Sequence, residues 1–235
     1  MTNLSRCFAL VPCAGVGARA GQVGPKQYAP LAGRSVVAHT LAALADCAEL
    51  QATLVVLAPD DTEFERHAPS FSGERAWLAR CGGATRAASV AAGLVALREH
   101  GARDDDWVLV HDAARCLIRP AWVARLVQAC RDDAVGGLLA LPLADTLKAA
   151  DAEGRVQATL PREHKWLAQT PQMFRLGLLQ RALREAESAG VAVTDEASAI
   201  EALGLKPLLV PGELENLKVT WPGDFALAAR LLETR

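Results

Sequence analysis

Residues 8–19 read Phe8-Ala9-Leu10-Val11-Pro12-Cys13-Ala14-Gly15-Val16-Gly17-Ala18-Arg19, an apolar run that stops at a proline and continues as a glycine-rich loop. A short run without polar alternation predicts a strand buried on both faces. The loop continues to Pro25-Lys26-Gln27. Glycines let backbone N–H groups approach phosphate oxygens closely, and Arg19 and Lys26 add two positive charges. The stretch therefore predicts a buried first strand followed by a loop that can hold phosphate groups.

Strand and helix patterns alternate along the rest of the chain. Apolar runs predict strands at 53–57, 76–80, 107–110, 137–141 and 206–211. Helical patterns, several with capping or proline signals, predict helices at 35–47, 85–98, 120–130, 175–188, 195–203 and 222–233. Strands separated by helices imply right-handed crossovers between parallel strands. We therefore expect an α/β fold, a Rossmann-like doubly wound, mostly parallel sheet flanked by helices, as a single domain over residues 1–235.

Residues 143–168 interrupt this alternation, because charged side chains are mixed with β-prone ones and no helical period is present. The pattern predicts a polar β-arm that projects from the sheet. A two-stranded hairpin is marginally stable alone, so it should pack against something, and a second copy of the chain is the simplest candidate. We therefore expect a homodimer formed through the arm.

Composition excludes several classes of protein. Of 235 residues, 51% are hydrophobic and 22% charged, which suffices for a full core. The formal net charge of −2 argues against a nucleic-acid-binding surface. No stretch reaches the ~18–20 apolar residues that a membrane helix needs. The six cysteines form no C-x-x-C pair and lie at no metal-ligand spacing from a histidine, so we expect reduced thiols in a cytoplasmic protein.

The glycine-rich loop also fits a dinucleotide-binding fingerprint of the form G-x-G-x-x-A at 15–20. That motif requires a helix directly after it and an acidic residue at the end of the second strand. Here Gly21, Gly24 and Pro25 oppose the helix, and the first acid after the next strand is Asp60. An NAD-dependent oxidoreductase stays open as a weaker alternative, beside a non-catalytic binding module that keeps the fold.

Seven blocks of sequence carry a resemblance to a known family. They are 10–19 (LVPCAGVGAR) with 25–28 (PKQY), 82–90 (GGATRAASV), 110–115 (VHDAAR), 145–148 (DTLK), 169–172 (QTPQ), 194–198 (TDEAS) and 216–220 (NLKVT). In this order they resemble the nucleotidyltransferases that activate sugar or polyol phosphates, and more narrowly the 2-C-methyl-D-erythritol 4-phosphate cytidylyltransferases. The chain departs from that pattern at Ala84, where the family favours aspartate, and at Cys116, where it usually has proline.

The resemblance implies a reaction in which the phosphate of methylerythritol phosphate attacks the α-phosphorus of CTP. The products would be a cytidine diphosphate polyol and pyrophosphate. Such a transfer depends on positioning and charge stabilisation more than on covalent help from the protein. The resemblance also implies Mg²⁺, with Asp112 beside it as a ligand or through water. A pentitol phosphate acceptor such as ribitol 5-phosphate stays open, because similar folds and loops serve that reaction.

The resemblance also assigns roles to individual residues. The cations implied to be catalytic are Arg19, Lys26, Arg162 and Lys218. The contacts with CTP are implied to come from Pro12, Ala14, Gly15, Gly17, Gly83, Ala84, Ser89 and Ala113. The contacts with the acceptor phosphate are implied to come from Thr146, Arg162, Thr170, Thr194 and Lys218. In the family the arm threonine and arginine come from the neighbouring subunit, which agrees with the expected projecting arm.

Three residues near these positions also have structural interpretations. Thr194 precedes two acids, which is the pattern of a helix N-cap. Asp112 could likewise cap a helix, and capping does not exclude contact with a metal. His111 neighbours Asp112, but a phosphate nucleophile is already ionised and needs no base. We therefore expect His111 to be structural.

Overall fold

The computed structural model describes residues 5–15 and 24–234. Its strands are β1 (Cys7–Pro12), β2 (Pro30–Leu31), β3 (Arg34–Ser35), β4 (Leu50–Val56), β5 (Ala76–Ala79), β6 (Trp107–Val110), β7 (Gly136–Pro142), β8 (Leu147–Ala150), β9 (Val156–Leu160), β10 (Trp166–Arg175) and β11 (Leu208–Pro211). Its α-helices are α1 (Val36–Ala45), α2 (Phe64–His67), α3 (Arg86–Glu99), α4 (Pro120–Cys130), α5 (Leu176–Ser188), α6 (Glu196–Ala202) and α7 (Pro222–Glu233).

The main sheet of the described residues has the strand order β11-β7-β10-β6-β1-β4-β5. β1 pairs in parallel with β4 on one side and with β6 on the other, and β5 and β11 extend the sheet in parallel at its two edges. β10 is antiparallel to both of its neighbours, β6 and β7. The expected α/β fold with a mostly parallel sheet is therefore confirmed, with one antiparallel strand near its centre.

No strand is predicted from the sequence at β10, and that omission is wrong. The segment 169–172 is polar and contains Pro171, which cannot donate a hydrogen bond to a neighbouring strand. The structure accommodates the proline by an irregular register with β7 between Ala168 and Gln172. β10 is therefore a central strand although it contains a proline, a residue that is normally absent from central strands.

Helices cover both faces of the sheet, which accounts for the uniformly apolar β1. Cys7, Ala9 and Val11 face one core cluster, to which α1 and α4 contribute. Phe8 and Leu10 face a second cluster, to which α3, α5 and α6 contribute. A strand that is buried on both faces needs no polar alternation. No helix that the structure describes is long and apolar enough to cross a membrane.

The predicted arm is present as the two-stranded antiparallel sheet of β8 and β9. All five residues of β9 are exposed. They include Val156 and Leu160, which are 67% and 40% exposed. The arm is shorter than the predicted range, since residues 166–168 belong to β10 and pair with β7. The hairpin therefore presents apolar surface that no residue of the described ranges covers.

Candidate active site

The carboxyl ends of β1 and β6 lie side by side at the point where the strand order reverses. The next strands of the sheet along the chain, β4 and β5, lie on one side of β1, and β6, which follows them in the sequence, lies on the other side. Connections that leave in opposite directions open a crevice, and ligands of open α/β sheets bind there. In this structure the crevice is a cleft of about 560 Å³.

Ten of the predicted site residues line this cleft. They are Pro12, Ala14, Gly15, Lys26, Gly83, Ala84, Ser89, Asp112, Ala113 and Lys218. Arg19 and Gly17 lie outside the described residues. The remaining four, Thr146, Arg162, Thr170 and Thr194, do not line the cleft of this single chain. The structure thus brings together the predicted nucleotide-binding residues that it describes.

The start of the glycine-rich loop is hydrogen-bonded to the short turn that contains Lys26 and Gln27. The amide Nε2 of the buried Gln27 donates to the carbonyl oxygens of Cys13, at 3.1 Å, and Gly15, at 2.9 Å. The ammonium of Lys26 donates to the carbonyl oxygen of Val219 at 3.1 Å. Lys26 therefore lies beside the segment that carries Lys218. The sequence marks Gln27 as part of the loop but gives no sign of this bonding role.

The loop between β5 and α3 forms another wall of the cleft. Gly82 approaches Ala14 so closely that an added Cβ would clash with it and lie 2.7 Å from the Leu57 carbonyl oxygen. Ser89 is buried, and its hydroxyl accepts from the Gly83 N–H at 3.1 Å and donates to the Thr85 carbonyl at 3.0 Å. Ser89 therefore shapes the loop, and its contact with CTP stays a prediction.

Asp112 lies at the end of β6 among three cations. Its Oδ1 accepts from Arg86 Nε at 2.9 Å, and its Oδ2 accepts from Lys218 Nζ at 2.8 Å. Arg115 Nε lies 3.7 Å from the same Oδ2. Burial favours a raised pKa, but Arg86 and Lys218 outweigh it and hold the pKa of Asp112 well below its usual range. The carboxylate is therefore ionised at neutral pH. It caps no helix, since the next helix begins at Pro120.

Arg86 extends this cluster to a second carboxylate. Its Nη1 and Nη2 donate to the two carboxylate oxygens of Glu196, at 2.6 and 3.0 Å. Burial lowers the pKa of Arg86, but the carboxylates of Glu196 and Asp112 outweigh this effect and raise the pKa above its ordinary value. A permanently charged guanidinium thus bridges two buried carboxylates. No sequence signal predicts this pair, because 110 positions separate its members.

His111 and Thr170 form a buried chain of hydrogen bonds that ends at the backbone N–H of Asp112. His111 Nε2 lies 3.2 Å from the Arg115 carbonyl oxygen, which only accepts, so Nε2 carries the proton. Nδ1 then accepts from the Thr170 hydroxyl at 3.1 Å, and that hydroxyl oxygen accepts from the Asp112 N–H at 3.0 Å. Burial lowers the pKa of His111 to about 4, so the ring is neutral at pH 7. This geometry agrees with a structural histidine.

We expect acid to destabilise the protein through His111. Between its ordinary pKa of 6.5 and its folded pKa of about 4, the unfolded chain binds more protons than the folded one. The free energy of unfolding therefore falls as the pH drops through this window, by about 3 kcal/mol in all. Urea titrations between pH 4 and 7, on the wild type and His111→Asn, measure the effect. The variant is less stable at pH 7, and the difference should shrink toward pH 4. Parallel pH profiles would contradict the assignment.

The other predicted acceptor contacts lie elsewhere in this chain. Thr146 and Arg162 are exposed on the arm, where Arg162 Nη1 donates to the Ala144 carbonyl. Thr194 is exposed just before α6. The interpretation of Thr194 as the N-cap of α6 is wrong. Asp195 takes that position, with its carboxylate accepting from the Ser198 N–H at 2.9 Å.

Comparison with known proteins agrees with the geometry. The chain matches the family model described as IspD, 2-C-methyl-D-erythritol 4-phosphate cytidylyltransferase, over residues 7–234. It is 55% identical over 231 residues to the 2-C-methyl-D-erythritol 4-phosphate cytidylyltransferase of Paraburkholderia phytofirmans, covering 97% of this chain and 96% of that protein. It is 59% identical over 230 residues to the bifunctional enzyme IspD/IspF of Albidiferax ferrireducens, covering 98% of this chain and 54% of that protein. The chain thus spans about half the length of that bifunctional relative.

A solved structure supports the same assignment. The crystal structure of a 4-diphosphocytidyl-2C-methyl-D-erythritol synthase superposes with a TM-score of 0.85 at 41% identity, covering 97% of this chain and 98% of that one. The resemblance seen in the seven sequence blocks is therefore confirmed along nearly the whole chain. On this evidence the chain belongs to the 2-C-methyl-D-erythritol 4-phosphate cytidylyltransferase family.

Proposed function

We propose that the cleft at the ends of β1 and β6 is the active site of this cytidylyltransferase. Family membership makes the chain a 2-C-methyl-D-erythritol 4-phosphate cytidylyltransferase of the non-mevalonate pathway, and it decides against an NAD-dependent oxidoreductase. One observation carries the placement of the site: Lys26 and Lys218, far apart in the sequence, line the same cleft. The hydrogen bond from Lys26 to the carbonyl of Val219, the residue after Lys218, spans 193 positions.

The charges in the cleft match the two anions that must meet there. A phosphomonoester carries about −1.5 to −2 charges near neutral pH, and the triphosphate of CTP carries more. In the proposal, Lys26 and the backbone of Gly15 bind the triphosphate, together with Arg19 and Gly17 of the signature loop. Lys218 is anchored by Asp112 yet remains 40% exposed at its side chain, so its ammonium can still reach a phosphate. The attacking phosphate is already ionised, and the protein therefore needs only to position it and stabilise charge.

The cytosine end of the nucleotide is assigned to the loop after β5. Gly83, Ala84 and Ser89 line this side of the cleft, and Pro12, Ala14 and Ala113 complete the wall. Ala84 has no polar side chain, so recognition of the base at that position falls to main-chain N–H and C=O groups. This supports a pocket whose shape, held by Ser89, selects the base.

The described residues of the cleft offer a divalent cation few protein ligands. Asp112 is the one acidic residue among the described residues that line the cleft, and both of its oxygens already accept from cations. Within residues 5–15 and 24–234, no group of three or more His, Cys, Asp or Glu side chains could hold a metal. We infer that Mg²⁺ would be held mainly by nucleotide phosphate oxygens and water, with Asp112 as at most one ligand. When bound, the ion would neutralise phosphate charge.

We further propose that the arm acts in a second copy of the chain. Thr146 and Arg162 do not line the cleft of their own chain, and the apolar residues Val156 and Leu160 of β9 are exposed in the described chain. A homodimer in which each arm reaches the other cleft explains both observations. The acceptor phosphate would then meet Thr146 and Arg162 from one subunit and Lys218 from the other. Contacts from Thr170, whose hydroxyl already bonds His111 and Asp112, and from the exposed Thr194 stay predictions.

The proposed function is tested by pyrophosphate release. The protein is incubated with CTP, Mg²⁺ and either methylerythritol phosphate or ribitol 5-phosphate. We expect release with methylerythritol phosphate to be ~10-fold or more faster, since pockets of fixed shape discriminate acceptors of different size by at least that factor. Replacing CTP with ATP, GTP or UTP is the control for the base pocket. Faster release with ribitol 5-phosphate, or equal use of all four nucleotides, would contradict the proposal.

A further inference from the structure

A cluster of three charged side chains, here named the Arg86 bridge, ties three parts of the fold together beside the cleft. Arg86 is the first residue of α3, Asp112 follows β6, and Glu196 is the first residue of α6. The two carboxylate residues are buried, with Glu196 only 1% and Asp112 only 7% exposed. Each therefore depends on its bonded partners in place of water.

The geometry of the Arg86 bridge requires a guanidinium. Arg86 uses three N–H donors on three separate nitrogens, one toward Asp112 and two toward Glu196. A planar fork can present donors in both directions at once, whereas a lysine ammonium is a single point charge that cannot span the two carboxylates. With these three donors engaged, Arg86 borders the cleft without offering those hydrogen bonds to a substrate.

The nucleotide side of the cleft does not depend on the Arg86 side chain. Thr85 caps α3 by accepting from the Ala88 N–H at 3.1 Å, and Ser89 holds Gly83 through its hydroxyl. The loop 83–85 therefore keeps its shape through its own bonds. What the Arg86 side chain does hold is Asp112, whose other oxygen binds the ammonium of Lys218.

We propose that Arg86 and Glu196 are positioning residues for the transfer reaction. Glu196 fixes the guanidinium of Arg86, Arg86 fixes the carboxylate of Asp112, and Asp112 holds Lys218 where the acceptor phosphate meets it. The inference rests on the proposed function of Lys218, and it adds a chain of three side chains behind that lysine. It also explains why charges are kept at a place where apolar residues would serve stability as well.

A matched structural pair lies at the opposite end of the same strand. Asp106 immediately precedes β6, is fully buried, and accepts from Arg6 Nη2 at 2.6 Å. Neither Arg6 nor Asp106 lines the cleft. Arg6→Met therefore serves as the control for Arg86→Met, because both changes remove a cation partner, from the buried Asp106 in the first case and from the buried Asp112 and Glu196 in the second.

The test compares stability with kinetics in four proteins: wild type, Arg6→Met, Arg86→Met and the double variant Arg86→Met/Glu196→Met. Urea unfolding gives stability, calorimetry gives the Kd for CTP, and pyrophosphate release gives kcat and KM for methylerythritol phosphate. We expect both single variants to lose stability, but only Arg86→Met to lose about 100-fold in kcat/KM for the acceptor, as a displaced catalytic group does. The Kd for CTP should change by less than threefold.

The double variant separates positioning from stability. It has no unpaired Glu196 carboxylate, so its stability should return toward the wild-type value, while its kcat/KM for the acceptor stays low. Recovery of kcat/KM together with stability would overturn the inference, as would equal kinetics in Arg86→Met and Arg6→Met. If Arg86→Met does not fold, the double variant alone decides. In a Lys218→Ala background Arg86→Met should cost less than tenfold, and a full loss there would also overturn it. Absence of wild-type activity would reject the proposed function, and this inference with it.

Discussion

Lys26→Ala is expected to lower kcat/KM for CTP by about 10²–10³-fold while the free energy of unfolding changes by less than ~1 kcal/mol. Removing one preorganised donor to a developing anion typically costs about 3–4 kcal/mol in the transition state. The lysine lies on a short turn at the cleft and belongs to none of the three core clusters of the described residues, so its removal leaves their packing intact. Pyrophosphate release and urea unfolding on the same preparation measure both effects.

The matched control for this variant is Lys206→Ala. Lys206 is exposed, precedes β11 and does not line the cleft. Its replacement should leave both turnover and stability near the wild-type values. Near-normal turnover of Lys26→Ala would remove Lys26 from the mechanism, and a large loss of stability would show that its effect is not catalytic.

Mixing Lys26→Ala with Arg162→Ala is expected to restore activity that neither variant has alone. If each arm serves the other subunit's cleft, a mixed dimer places both lesions in one site and leaves the second site intact. Random exchange of equal amounts makes half of the dimers mixed, so about a quarter of wild-type activity should return. The measurement is pyrophosphate release before and after subunit exchange, with exchange verified by differently tagged chains.

The control for this experiment is a mixture of Lys26→Ala with Lys218→Ala. Both lesions then lie in the cleft, so neither subunit of a mixed dimer can supply an intact one, and no activity should return. If the Arg162 mixture also stays inactive although exchange is demonstrated, the arm does not act between subunits. Activity in both mixtures would point to a different division of the site.

The sequence predicts those features that depend on neighbouring residues. The apolar run of β1, the Ser35 cap of α1 and the proline that opens α4 are local signals, and each marks its element in the structure. The sequence does not predict β10, because its local signals, the polar residues and Pro171, oppose a strand, whereas its pairing with β6 and β7 is a tertiary effect. The N-cap of α6 is Asp195 and not the neighbouring Thr194, and the sequence pattern alone does not separate them because both residue types are favoured at N-caps.

In the candidate site, too, the sequence predicts the local features and not the long-range contacts. The predicted residues of the site are visible in the sequence as short motifs, and ten of them line the cleft. The bonds that organise the cleft join residues far apart, such as Arg86 with Glu196 and Lys26 with Val219. No local pattern encodes such a contact, since it depends on the order in which the strands pair.

The pairing of β10 restricts where residues can be inserted into this protein or deleted from it. The first residues of β10, Trp166–Ala168, pair with β7 next to the arm, and a few positions later Thr170 bonds to the N–H of Asp112. β10 is held by pairing with β7 before Thr170 and with β6 after it, so one inserted or deleted residue between Trp166 and Thr170 would shift that hydroxyl away from its partner. The turn at 151–155, at the far end of the hairpin, bears no such constraint. Natural variation in length should therefore accumulate at the hairpin tip and spare the stem.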